Sequence, residues 1–234
     1  MNFSAIALTL FPEMFPGPLG QSLAGTALKN GLWSLETMNI RDFAKDKHRT
    51  VDDSPYGGGT GMVLKPNVVD DAVEAAKAKL PGAKIIYPSP RGTPFTQSLA
   101  HELKASDLII LCGRFEGVDQ RVINHHNMQE ISLGDFVLSG GEIPAMAILD
   151  AVIRLIPGVI GKEAATSQES FAIASDYARL LEYSHYTRPP LWKGHAVPEV
   201  LLSGNHAEIH TWRLAQAKKI TQVRRPDLIE DKKE

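Results

Sequence analysis

The sequence predicts an α/β fold built on a mostly parallel sheet, and three observations carry that expectation. Short apolar runs of strand length alternate with helical stretches from Phe3 to Ile156, the signature of repeated βα units. Three successive strand exits, at 89–92, 113–117 and 133–141, carry glycine or proline turns, and in such sheets ligands sit beyond the carboxyl ends of strands. The stretch SLGDFVLSGGEIPAMAILDAVIR (132–154) runs into a helix apolar nearly all round, which marks burial on more than one side.

In chain order, 3–10 reads as a buried strand. Pro12 and Glu13 then open a helix reaching Lys29, stopped by the αL-tolerant Asn30-Gly31. A strand at 32–38 precedes a polar segment, RDFAKDKHRTVDDSPYGGGTGM (41–62), whose Gly57, Gly58, Gly59 and Gly61 make a flexible loop. That loop either contacts a ligand or is a surface connection. It lacks the Gly-Lys-Ser/Thr ending of a phosphate-binding loop, and no GxGxxG follows the first strand, which argues against nucleotide hydrolysis and a dinucleotide site. There follow an alanine-rich helix at 66–80, a strand at 83–87 broken by PSPRG, and a helix at 96–104. A strand at 107–112 broken by GRFEG, a helix at 118–125 and a short strand at 130–132 complete the alternation. Walls made of backbone at the three turns suit an adenine or an amino-acid head group, read by N–H and C=O groups.

At 234 residues and 43% hydrophobic content the chain can bury a sizeable core, as one large domain or one plus a smaller. Net charge is −2, so any polyanion must meet a local basic patch. The lone Cys112 ends an apolar run, reads as a buried inert thiol, and permits no internal disulfide. The N-terminal stretch reads as a first strand, not a signal peptide, and no stretch reaches membrane-span length. A soluble cytoplasmic protein is expected.

Within 132–154, Ser139 and Glu142 have the spacing of a capping box. Pro144 sits near the first helical turn, where its missing N–H costs nothing. Gly140 and Gly141 allow close approach of the backbone. Asp150 and Arg154 stand four apart: either a solvated pair worth a few tenths of a kcal/mol, or an arginine held for function. After Pro157-Gly158 the small, polar segment 161–176 reads as a linker. From Ser184 to Arg225, seven lysines and arginines stand against two glutamates, with four histidines and the interleaved Tyr186, Trp192 and Trp212. That is an RNA-facing module, or a solvated basic helix at 206–223 on a satellite domain.

The blocks LFPEMF (10–15), RTVDDSPYGGGTGM (49–62), CGRFEGVDQRVI (112–123), SLGDFVLSGGEIPAM (132–146), IPGVIGKEA (156–164), HYTRP (185–189) and LLSGNHAEIHTWR (201–213) together span nearly the whole chain. In them the sequence closely resembles the bacterial tRNA (guanine-N1)-methyltransferases, the TrmD family of the SPOUT superfamily. The resemblance implies a deep trefoil knot in a methyltransferase domain at 1–160, a linker at 161–176, and a small helical tRNA-binding domain at 177–234. It implies an obligate homodimer, with active sites at the subunit interface, that uses S-adenosylmethionine to methylate N1 of guanosine 37 in tRNA. By the same resemblance Tyr87, Ser89, Pro90, Gly113, Glu116, Gly117, Ser132, Leu133, Gly134, Leu138, Gly140, Gly141 and Pro144 would surround the methyl donor. Asp135, Phe136, Val137 and Glu182 are placed with them. Arg154 matches the family's catalytic arginine, and Glu169 falls where the family usually has the aspartate proposed as general base. Glu182 also replaces a usual aspartate, and the linker before HYTRP is longer than usual.

The chemistry calls for such groups. Guanine N1 is protonated at neutral pH, and a carboxylate can remove that proton. Charge drawn towards O6 is met by a fixed cation, which suits Arg154. Dependence on Mg²⁺ is suggested in the family, while no metal-ligand spacing appears in this sequence. The alternatives are a ribose 2′-O-methyltransferase of the same superfamily, or a non-catalytic RNA-binding protein with a degenerate cofactor site. Intact glycines at 113, 117, 134, 140 and 141 argue against degeneracy.

Overall fold

The computed structural model describes residues 2–161, 168–173 and 175–229. The chain divides into two compact units, Met1–Gly161 and Lys162–Glu234, each described by itself. In chain order the first unit contains β1 (Phe3–Thr9), α1 (Ser22–Lys29), β2 (Trp33–Asn39), β3 (Asp52–Asp53), β4 (Val63–Leu64) and α2 (Pro66–Lys79). It continues with β5 (Lys84–Pro94), α3 (Gln97–Leu103), β6 (Leu108–Leu111), α4 (Gln120–His125), β7 (Gln129–Ser132) and α5 (Glu142–Ile153). Five strands form one sheet in the order β2-β1-β6-β5-β7, and every pair in it is parallel.

The two-residue period of the strands sorts their side chains to two cores. Phe3, Ala5, Ala7, Leu108, Ile110 and Cys112 join α1, α3 and α5 on one face. Ile6, Leu8, Ile109 and Leu111 join α2 and α4 on the other. Strands covered on both faces read as continuous apolar runs, as LIIL does in β6.

The structure departs from the expected elements where proline or a buried charge intervenes. The helix expected from Pro12 to Lys29 is in pieces: 3-10 turns at Pro12–Met14 and Gly17–Gly20, then α1. Pro12, Pro16 and Pro18 lack an N–H and push the residue before them out of helical geometry. The stop at Gly31 does form. Leu32 N–H donates to the Ala27 carbonyl (3.0 Å) and Gly31 N–H to that of Leu28 (3.1 Å), closing a Schellman motif with Gly31 at φ +71°. β5 does not end at Tyr87. Pro88 and Thr93 both pair with Ile131, so the intervening residues bulge outward and the strand resumes to Pro94. A Cβ on Gly92 would strike the backbone of Glu130 and Ile131, so glycine there lets the two strands close again. Within the polar segment, β3 and β4 form a short antiparallel pair.

The expected capping box of α5 does not form. Gly141, not Ser139, occupies the N-cap, without a side-chain cap bond. Glu142 instead turns inward, fully buried, and its Oε1 accepts a 2.7 Å bond from the Thr9 hydroxyl.

In the second unit, β8 (Leu191–Trp192) and β9 (His195–Ala196) make a small hairpin, absent from the sequence reading, ahead of α6 (His206–Arg224). The Asn205 carboxamide caps α6 by accepting from the N–H groups of Ala207 and Glu208. Buried Ala217 packs with Ala172, Tyr177, Leu180 and Tyr183. Of the segment 161–176, residues 162–167 and 174 lie outside the described residues. Nearby, Phe171 N–H donates to the Leu180 carbonyl at 2.8 Å. No helix among the described residues is long and apolar enough to cross a membrane.

Candidate active site

The bulge within β5 and the exits of β6 and β7 converge on one cavity of about 220 Å³. The β5 bulge supplies Tyr87, Ser89 and Pro90. The β6 exit supplies Gly113, Glu116 and Gly117, and the β7 exit Ser132, Leu133, Gly134, Phe136, Val137 and Leu138. The turn into α5 closes the ring with Gly140, Gly141 and Pro144. Asp135 does not line it: its side chain lies on the exposed rim between two residues that do. Pro88, Arg114, Phe115, Ile131 and Ser139 also line the cavity and escaped the sequence reading. Their position between motif residues was the available signal. Larger clefts of about 500 and 720 Å³ exist elsewhere among the described residues, but of the three this one joins the β5 bulge to the exits of β6 and β7.

Its walls are held together by backbone. Gly141 N–H donates to the Gly113 carbonyl at 2.8 Å. A Cβ on Gly141 would lie 2.7 Å from Cys112 Cα and 2.8 Å from Gly113 N, and one on Gly140 would run into the Arg114 guanidinium. The close approach that these two glycines permit is therefore first of all to the neighbouring strand exit of the same chain. Glu116 N–H donates to the Met62 carbonyl (2.9 Å) and Leu64 N–H to that of Gly117 (2.9 Å). The end of the glycine-rich loop is thus laid along the cavity wall beside Glu116.

A buried charge cluster braces the same walls. Arg114 Nε lies 2.9 Å from Glu142 Oε2, although neither atom completes a well-aligned hydrogen bond. The contact is an ion pair whose N–H points off the line. The guanidinium also covers the Phe11 ring at 4.4 Å. With the Thr9–Glu142 bond, this joins the end of β1, the β6 exit and the start of α5. Burial, reinforced by the Glu142 charge, pushes the Cys112 thiol well above its ordinary range, which keeps it protonated and unreactive. Burial, and then the Glu130 charge, raise the Tyr87 phenol. Its ring packs where a Cβ on Gly113 would stand, 2.8 Å from Tyr87 Cε2.

Arg154 is the C-cap residue of α5, half-buried, at the end away from Gly140 and Gly141. At 1.5 Å per residue the helix between them is roughly 18 Å long, beyond the reach of one arginine side chain. Glu169 and Glu182 belong to the second unit, and the cavity's lining comes from the first. Glu182 Oε1 lies 3.0 Å from His185 Nε2, and its N–H donates to Ser170 Oγ at 2.9 Å. The second unit has its own cleft of about 500 Å³, lined among others by Tyr186, Arg188, Trp212 and Arg213. Arg213 stacks over Tyr183 at 4.8 Å, and Tyr186 meets Trp212 at 6.2 Å between centroids.

A family model described as tRNA (Guanine-1)-methyltransferase TrmD matches residues 1–231. Among similar proteins, one from Rickettsia akari, named tRNA (guanine-N(1)-)-methyltransferase, is 55% identical over 97% of this chain and 97% of its own. Proteins of the same name from Rhodospirillum rubrum and Rhodopseudomonas palustris are 56% and 55% identical over 97% of this chain, covering 93% and 90% of theirs.

Proposed function

This chain belongs to the tRNA (guanine-1)-methyltransferase TrmD family, and from that premise we propose that it transfers a methyl group from S-adenosylmethionine to N1 of guanosine 37 in tRNA. The observation that carries the reading is the convergence of the β5 bulge and the exits of β6 and β7 on one cavity with five glycines in its wall. Such a wall suits the donor: an adenine edge pairs with N–H and C=O groups, and glycines let it lie against the chain. Tyr87, Ile131 and Leu138 offer apolar surface to the ring, and Gly113, Gly134, Gly140 and Gly141 the close-lying backbone. Ser89, Pro90, Glu116, Gly117, Ser132, Leu133 and Pro144 complete the pocket. When bound, the donor supplies a methyl group already activated by its sulfonium.

The chain's own part is to hold the guanine and manage its proton. Glu169 takes the N1 proton as general base, and Arg154 meets the charge that develops towards O6. The span of α5 supports a dimer in which Arg154 serves a partner's cavity and not its own. α5 also leaves Ile143 at 52% exposure, with Ala147 and Asp150 on the same stripe, and Val137 stands 83% exposed nearby. A second copy would cover that surface. The close seating of the 140–141 turn on the β6 exit is in keeping with a knotted methyltransferase domain at 1–160. The basic, aromatic cleft around Tyr186 and Trp212 suits a tRNA-binding domain at 177–234, joined by a linker at 161–176. The enzyme works in the cytoplasm, where its tRNA is.

The test is methyl transfer from labelled S-adenosylmethionine to tRNA transcripts carrying G or A at position 37. Incorporation into the G transcript alone, at N1 by nucleoside mass spectrometry, is expected. Label in ribose, or equal label in both transcripts, would overturn the reading.

A further inference from the structure

Outside the cavity, the seam between α2 and α4 gathers side chains that the methyl-transfer reading does not use. Asp70, His125 and His126 can each offer a ligand atom, and these atoms lie within 4.8 Å of one another. α4 ends at His125 and His126 is its C-cap, so two imidazoles leave the helix end together, centroids 4.8 Å apart and planes at 76°. The His126 side chain is only 2% exposed. Its Nε2 is 2.7 Å from Asp70 Oδ1 and its Nδ1 is 3.6 Å from Glu74 Oε1. Asp70 and Glu74 lie one turn apart on α2, so both carboxylates face the one ring.

We propose that Asp70, His125 and His126 form a binding site for a divalent transition metal of the Zn²⁺ class, with Glu74 as the positioning residue for His126. Two imidazoles and one carboxylate are a donor set that zinc accepts, water supplying the fourth position. Hard cations such as Mg²⁺ favour oxygen ligands and are disfavoured here. Metal-binding histidines turn their second nitrogen to a carboxylate, and His126 approaches that arrangement. Its Nδ1 stands 3.6 Å from Glu74 Oε1, which accepts a 2.6 Å hydrogen bond from Lys77 Nζ and would close on the ring as the metal binds. Bonds of about 2.0–2.1 Å at tetrahedral angles hold neighbouring ligand atoms roughly 3.3 Å apart. The Nε2–Oδ1 contact therefore opens by about half an ångström as the cation replaces the shared proton. The exposed His125 ring closes the remaining gap by rotating, without disturbing the core. The bound metal would staple α2 to α4, the helix that follows the Gly113–Gly117 wall. Asp70 and His126 are 56 positions apart, so no spacing motif announces the site.

The experiment uses the full chain, stripped with chelator and titrated with ZnCl₂ against a chromophoric competitor. It does not depend on the methyl-transfer reading, since it measures metal alone. About one Zn²⁺ should bind per chain and raise the melting temperature by several degrees. His125→Ala and Asp70→Asn should each weaken binding at least tenfold, and Glu74→Gln about tenfold. His195→Ala, in the second unit, should bind as wild type. Asp70 is 43% exposed, and Asn keeps its acceptor for His126, so both first-named variants should melt with the metal-free wild type. Failure to retain zinc against the competitor would overturn the proposal. So would wild-type affinity in both His125→Ala and Asp70→Asn, or an equal shift with MgCl₂.

Discussion

Arg154 is where a single side chain decides most. It caps a helix whose far end lines the cavity, and on the proposed mechanism it stabilises charge only in the transition state. Arg154→Ala should lower the saturated rate by roughly two to three orders of magnitude, the scale of losing one charge-stabilising donor. Asp150→Ala, on the exposed stripe, should change it only a few-fold. Single-turnover kinetics with matched thermal melts would check this, and equal losses from both changes would favour a structural pair. The buried Cys112 and Tyr87 give a second residue-scale expectation, on the alkaline side. Both pKa values are raised in the folded state, so the fold holds their protons more tightly than the unfolded chain does. Their stabilisation is full at neutral pH and is lost as pH climbs past the ordinary values of 9.0 and 10.0. Urea unfolding from pH 7 to 10.5 should show declining stability, with a shallower decline in Cys112→Ala. A flat wild-type profile would contradict the assignment.

At the scale of elements, α5 shows how a buried charge outweighs a local capping preference. Ser139 and Glu142 have capping-box spacing, yet Glu142 is drawn inward to Thr9 and Arg114. A surface cap contributes about 1 kcal/mol. Leaving the partly buried Arg114 without its carboxylate would cost about 3 kcal/mol. Glu142→Gln should therefore destabilise the chain by roughly that larger amount, while Ser139→Ala should fall within about 0.5 kcal/mol of wild type. Equilibrium urea unfolding separates the two cases, and the reverse order would restore the capping box. β5 teaches a related lesson: its PSPRG run interrupts pairing without ending the strand, because Thr93 takes up the same partner as Pro88.

At the scale of the whole molecule, the proposed arrangement is a dimer in which each cavity works with the other copy's Arg154. Leu138→Trp should fill the cavity from a residue 38% exposed, and Arg154→Ala should remove the cation. Each homodimer should be nearly inactive. Unfolded and reassembled together, the two would form about half heterodimers, each with one doubly defective and one intact site, so activity should return to roughly a quarter of wild type. If both residues served the same copy, no site would be intact. No recovery, with heterodimers confirmed by native mass spectrometry, would rule out the crossed arrangement.

Much of the fold was legible because parallel strands covered on both faces must be continuously apolar, and their exits must turn. The runs at 3–10 and 107–112, the Asn30-Gly31 stop, α6 and the glycine-bearing exits of β6 and β7 could all be read from local pattern, whereas the turn at 89–92, expected as an exit, is a bulge within β5. The family resemblance named most of the residues that line the cavity but not Pro88, Arg114, Phe115, Ile131 or Ser139. Local pattern could not decide what depends on partners distant in the chain. It could not turn Glu142 towards Thr9, 133 positions away, return β5 to Ile131, or bring Asp70 to His126. Nor could it show that the Gly140-Gly141 turn seats against Cys112 and Gly113. Periodicity reports only the face a residue occupies. Burial energy and the satisfaction of polar groups, which choose among the contacts on that face, are set only when the whole chain has closed.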